Sequence, residues 1–175
     1  MPVTPTAAPP RVRGWANFDP TRAYRYTLHR RWDPEPGPMT RSGGRVCFCL
    51  LNPSTADARV LDPTLKRCLG FARRWGFGHM EVVNAFALRS TQPAALKKHP
   101  DPVGPGNDRA ILRAAKRADL VVVGWGTHAT WQGRHEVLGD LLASVCEPMR
   151  WALTKDGHPR HPLYLRSDCA ISPYR

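Results

Sequence analysis

The sequence predicts an α/β fold of three layers, with helices on both faces of a central four-stranded parallel sheet. Three observations carry that expectation. Strand-like and helix-like segments alternate four times, the pattern of repeated parallel crossovers. Residues 46–51 and 120–123 are unbroken apolar runs, as expected of strands covered on both faces. The helical segments instead carry apolar residues at steps of three and four, one stripe each.

The elements follow in order. The first ten residues, MPVTPTAAPP, lack the basic-then-apolar order of a signal peptide. They read as part of a disordered leader over residues 1–20, which leaves one domain over residues 21–175. Residues 24–32 set Tyr24, Tyr26 and Leu28 against Arg25, Thr27 and His29, the period of an N-terminal edge strand. Residues 33–44 are rich in Pro and Gly and form a loop. Residues 46–51 make the first core strand.

Asp62 and Pro63 then open a helix as N-cap and first turn. Its stripe is Leu65, Cys68, Leu69, Ala72 and Trp75, and Gly76 closes it. Residues 81–88 form the second core strand, followed by Arg89-Ser90-Thr91. Asn107 or Asp108 caps a helix to about Arg117, with Ile111, Leu112 and Ala115 inward. Residues 120–123 are the third core strand, ending in Gly124-Trp125-Gly126. A helix from about Arg134 carries Val137, Leu138, Leu141, Leu142 and Val145. Residues 149–153 are a short fourth strand, and the loop after it runs to Pro162.

Parallel strands end on one edge of their sheet, and ligands of open α/β sheets bind at that edge. Residues 52–57, 84–89, 125–128 and 155–161 are therefore expected to converge. Asn52 and Asn84 offer carboxamides that can orient a water or read a base edge. His158 and His161 can hydrogen-bond or stabilise a developing anion. Arg89, Lys155 and Arg160 can hold phosphates, and Trp125 offers a stacking face. Pro53, Ser54, Thr55 and Asp57 complete the candidate set. Competing structural roles are just as concrete. Asn52 before Pro can simply close a turn, Asn84 can tie two loops together, and Trp125 can be a core lid. His79, His99 and His135 read as surface histidines.

Composition narrows the partners. Lys and Arg number 26 against 14 Asp and Glu, a net charge of +12 and a pI near 10.3. Such a surface attracts polyanions, so nucleic acid or a nucleotide is the expected partner. No apolar run approaches the roughly 20 residues of a spanning helix, and no membrane role is expected. Cys47, Cys49, Cys68, Cys146 and Cys169 form no CxxC pair. They read as core thiols of a reducing cytoplasm. Asp57, Asp62 and Asp156 have no metal-ligand spacing, and no metal or cofactor is expected. GxxxxGK[ST], GxGxxG and GxSxG are all absent.

Six motifs stand in order: LLNPSTAD from Leu50, Asp62-Pro63-Thr64, VVNAFALRST from Val82, DPVGPGND from Asp101, VVVGWG from Val121 and LTKDGHPRHPLYL from Leu153. Together they resemble domain-of-unknown-function family 1643, over about residues 24–165. The order of these segments is more distantly similar to the uracil-DNA glycosylase superfamily. That similarity implies a four-stranded parallel sheet of order 2-1-3-4. It implies Asn52 as the residue placing the attacking water, Asn84 as the reader of the base, and His158 or His161 as the stabiliser of the departing base. The Ser of that superfamily's last motif is replaced here by Arg160 or Leu163.

Two functions follow as expectations. One is a glycosylase-type hydrolase that flips a modified base into the strand-end pocket and cleaves its N-glycosidic bond. The other is a non-catalytic module binding nucleic acid or a nucleotide, whose affinity falls steeply with salt. A small-molecule hydrolase on the same fold would use the same place.

Overall fold

Arg45–Leu50 is the central strand of one sheet, and its burial explains its composition. Val46 to Leu50 are all buried, because parallel neighbours flank the strand and helices cover both faces. A computed structural model gives this architecture and describes residues 11–175. The strands are β1 (Arg13–Phe18), β2 (Arg25–Arg31), β3 (Arg45–Leu50), β4 (His79–Asn84), β5 (Leu120–Val123), β6 (Met149–Arg150) and β7 (Ser172–Pro173). The helices are α1 (Pro63–Trp75), α2 (Pro93–Leu96), α3 (Asn107–Arg117) and α4 (Arg134–Ala143).

The sheet has seven strands in the order β1-β2-β4-β3-β5-β6-β7, and it is mixed. Parallel pairing is confined to β3 with β4, β3 with β5, and β5 with β6. The β1–β2, β2–β4 and β6–β7 pairs are antiparallel. This corrects the expected simple four-stranded parallel sheet of order 2-1-3-4: the parallel strands β4-β3-β5-β6 are extended by antiparallel β2 and β1 on one side and β7 on the other. The added strands have no apolar run and no crossover helix, so the alternation of elements could not count them. β1 also falls inside residues 1–20, where a disordered leader was expected; residues 1–10 of that leader lie outside the described residues. The strand read as an edge, β2, is interior, because β1 pairs along its outer side.

One irregularity positions a key side chain. Asn17 pairs with Thr27, but Phe18 pairs with Arg25, so the β1–β2 register shifts by a residue there. An extra residue in one strand re-aims its neighbours. In strict alternation Arg25 shares a face with Thr27 and His29. After the shift it lies on the face of Leu28, toward α1.

The two faces of the sheet carry separate cores. Val46, Phe48, Leu50, Met80, Val82 and Val122 pack against the α1 stripe and Trp151. Cys47, Cys49, Val83, Val121 and Val123 pack against Ile111 and Ala114 of α3 and Leu138 and Leu142 of α4. Val137 is exposed and Leu112 only half-buried; both lie beyond the narrow stripe that meets the sheet.

Helix α1 has both of its ends fixed. The Asp62 side chain accepts from the Leu65 N–H at 2.8 Å. Gly76 ends the helix at φ 95°, where its N–H bonds Ala72 and Arg73 carbonyls. A side chain there would be strained and would meet the backbone of Gly37 and Thr40.

A buried ionic cluster joins β2, β3, β4 and α3 on the other face. Glu81, fully buried, accepts from the Arg117 guanidinium. Arg45 reaches the same carboxylate at 3.9 Å and donates to His79 Nδ1 at 3.1 Å. His79 Nε2 lies 3.2 Å from His29 Nδ1, and Trp15 stacks on His29 at 4.6 Å. His79 is therefore no surface residue.

Candidate functional site

The carboxyl ends of β3, β4 and β5 open into a cavity of about 470 Å³. That is a volume in the range of small-molecule sites. Backbone bonds hold its strand ends together: Ala85 N–H to Leu50 O at 2.8 Å, and Gly124 N–H to Cys49 O at 2.9 Å. The start of α1 and the loop after β6 complete the wall.

Of the residues expected at a site, Asn52, Ser54, Asn84, Trp125, Arg160 and His161 line this cavity. Their settings differ. Asn52 donates through Nδ2 to Pro53 O at 3.0 Å and to Ser90 O at 2.8 Å. Its amide N–H pair is thus spent on strapping the β3 loop to the loop after β4, and Oδ1 is its remaining hydrogen-bonding atom. Asn84 is only 2% exposed, and its Oδ1 accepts from Arg25. Its Nδ2 makes no hydrogen bond among the described residues. Trp125, 1% exposed, packs in the core edge-on to Tyr174. It forms wall, not an open stacking face. His161 Nδ1 accepts weakly from the Leu163 N–H at 3.4 Å. That bond places its proton on Nε2. Burial lowers its pKa, with Asp62 opposing.

The other expected residues do not line the cavity. Pro53 is buried and supplies a carbonyl to the loop strap. Thr55 is exposed. Asp57 turns inward on its own loop, its Oδ1 accepting from Arg59 and Val60 N–H groups, which lower its pKa. Arg89 donates to Arg22 O and lies over the Phe18 ring. Lys155 sits on the turn closed by Thr154 and His158, and His158 lies edge-on to His135.

The structure adds residues that sequence reasoning missed. Arg25, 3% exposed, lines the cavity. Its guanidinium donates to Ala56 O at 2.8 Å and to Asn84 Oδ1 at 3.3 Å, and its Nε has no partner. Burial pulls its pKa down to about 10, opposed by Asp62; it is a cation at neutral pH. No signal short of the register shift could have turned it inward. Tyr164 lines the mouth at 71% exposure, tilted against His161. Behind β4, Asn107 and Arg134 are buried and donate to the Asn84 and Ala85 carbonyls. Asn107 or Asp108 was expected as the helix cap; Gly106 takes that place.

No group of three or more potential metal ligands occurs among the described residues, and no helix among them is long and apolar enough to cross a membrane. The six ordered motifs all fall on this framework, and a family model described as a protein of unknown function, DUF1643, matches residues 25–163. The chain belongs to the DUF1643 family. The matched span begins at Arg25 and runs past His161, so every strand end around the cavity lies within DUF1643. No curated protein and no solved structure matches the chain. The resemblance to the glycosylase superfamily rested on the order of the segments, and the simple four-stranded parallel sheet that it implied is not the seven-stranded mixed sheet of this DUF1643 protein. The hydrolase expectation loses the fold support that this resemblance gave it.

Proposed function

We propose that this protein is a nucleotide-binding module whose ligand sits in the strand-end cavity. One observation carries the reading: a single cavity combines a cation, open carboxamide atoms and an exposed aromatic ring. Arg25 supplies the cation and Asn84 Nδ2 a free donor, while Asn52 Oδ1 adds an acceptor. Tyr164, with His161 beside it, offers a face on which a base can stack at the mouth. Arg160, exposed on the rim, adds charge, and the net charge of +12 draws anions toward it.

Calorimetric titration with a panel of nucleoside monophosphates and single-stranded oligonucleotides tests the proposal. Saturable one-site binding is expected, weakened about ten-fold by Tyr164→Ala if stacking contributes its usual share. No binding across the panel overturns it.

A further inference from the structure

The cavity has a polar end built around a buried charge. Arg25 lies within 4.0 Å of no carboxylate among the described residues. A guanidinium has five N–H donors, and Arg25 uses two, on Ala56 O and Asn84 Oδ1. The neighbouring Arg30 shows what a purely structural arginine does here. It donates to three carbonyls, of His29, Asp57 and Val60, and pins the loop after β3. Arg25 makes one such carbonyl bond and keeps an unpartnered Nε. A buried cation is costly unless paired. The one carboxylate of the cavity wall, Asp62, spends an oxygen on the Leu65 N–H.

We infer that Arg25 and Asn84 form a receptor for the terminal phosphate of a nucleoside monophosphate, which enters the cavity phosphate-first. This rests on the nucleotide reading above and names the ligand class within it. Two guanidinium N–H groups can grip two oxygens of a phosphate monoester. Asn84 Nδ2 is free to donate to the same group, while its Oδ1 holds the guanidinium in place. The sugar and base then extend past Asn52 toward Tyr164. An internal phosphodiester has chain on both sides and cannot be buried end-on, so a monoester is the form that fits.

The test compares a nucleoside, its 5′-monophosphate, inorganic phosphate and an oligonucleotide lacking terminal phosphates. Each is titrated into wild type, Arg25→Gln, Arg25→Lys and Arg113→Ala. Arg113 lies on α3, away from the cavity, and controls for loss of a surface charge. The monophosphate is expected to bind wild type at least about ten-fold more tightly than the nucleoside. Arg25→Gln removes that difference and Arg113→Ala keeps it. Arg25→Lys, which retains the charge and a donor for Ala56 O, gives an intermediate loss and serves if the Gln variant does not fold. Equal binding of nucleoside and monophosphate overturns this inference and leaves the nucleotide-sized site. Tighter binding of the oligonucleotide than of the monophosphate overturns it too. Phosphate binding that needs Arg25, with no nucleotide binding, keeps the anion receptor and overturns the nucleotide reading. No binding of any probe overturns both.

Discussion

Asn52 shows how one side chain can be read two ways until its partners are known. Both Nδ2 hydrogens go to loop carbonyls, which leaves Oδ1 as the one side-chain atom that can face a water or a ligand. Asn52→Ala is therefore expected to lower stability by about 1–2 kcal/mol through lost hydrogen bonds. Asn52→Asp should cost at least as much, since it sets a carboxylate oxygen against two carbonyl oxygens. Thermal melts of the two variants check this, and melts unchanged from wild type would free Asn52 for another role. Candidate residues at strand ends could be named from sequence because an apolar run stopped abruptly at each. Whether a side chain then faced the cavity could not. Asn52, Asn84 and His161 do, whereas Asp57 bends back into its own loop and His158 packs edge-on to His135.

At the scale of elements, the histidine cluster makes β2, β4 and α3 respond to acid together. Burial holds His29 down to about 4, with Arg117, Arg45 and Arg30 adding to it. Burial holds His79 to about 4 as well, with Arg45, His29 and Arg31 adding and Glu81 opposing. In the unfolded chain both protonate near the ordinary value of about 6.5. Between these limits the unfolded state binds more protons, so stability falls as the pH drops from about 6.5 to about 4. It is fully present above that window, and the loss amounts to roughly a few kcal/mol. Urea denaturation across the window measures it, and His29→Gln should flatten the profile. A profile as steep in that variant as in wild type would exclude the cluster as its source. The cluster was not legible from sequence. Alternation set His29 and Thr27 on an outer polar face, but β1 and α3 cover that face. The apolar strands β3 and β5 and the capped helix α1 were legible, because composition alone determines their burial.

Across the whole molecule, the open basic surface and the enclosed Arg25 differ in how salt screens them. Surface charges are screened within about 10 Å at moderate salt, and buried ones much less. Binding of long single strands, driven by the surface excess, should collapse as salt rises. Monophosphate binding at the enclosed Arg25 should weaken far less. Titrations of both ligands over a salt series check this; parallel losses would place both on the surface. The excess of positive charge was plain in the composition. The seven-stranded sheet was not, because β1 and β7 carry no apolar run to mark them, and β2, read as an edge, gains its outer neighbour only through β1.

The slip between Asn17 and Phe18 has a consequence for how relatives of this chain should be compared. Whether Arg25 reaches the cavity depends on the two strands differing in length, and so on a count of residues more than on their identity. A relative with one residue inserted between Asn17 and Phe18 would keep its arginine and turn it toward α3. Substitution scores would pass over such a change. Insertions and deletions in the first hairpin are the place to look for members of the family whose arginine no longer faces the cavity.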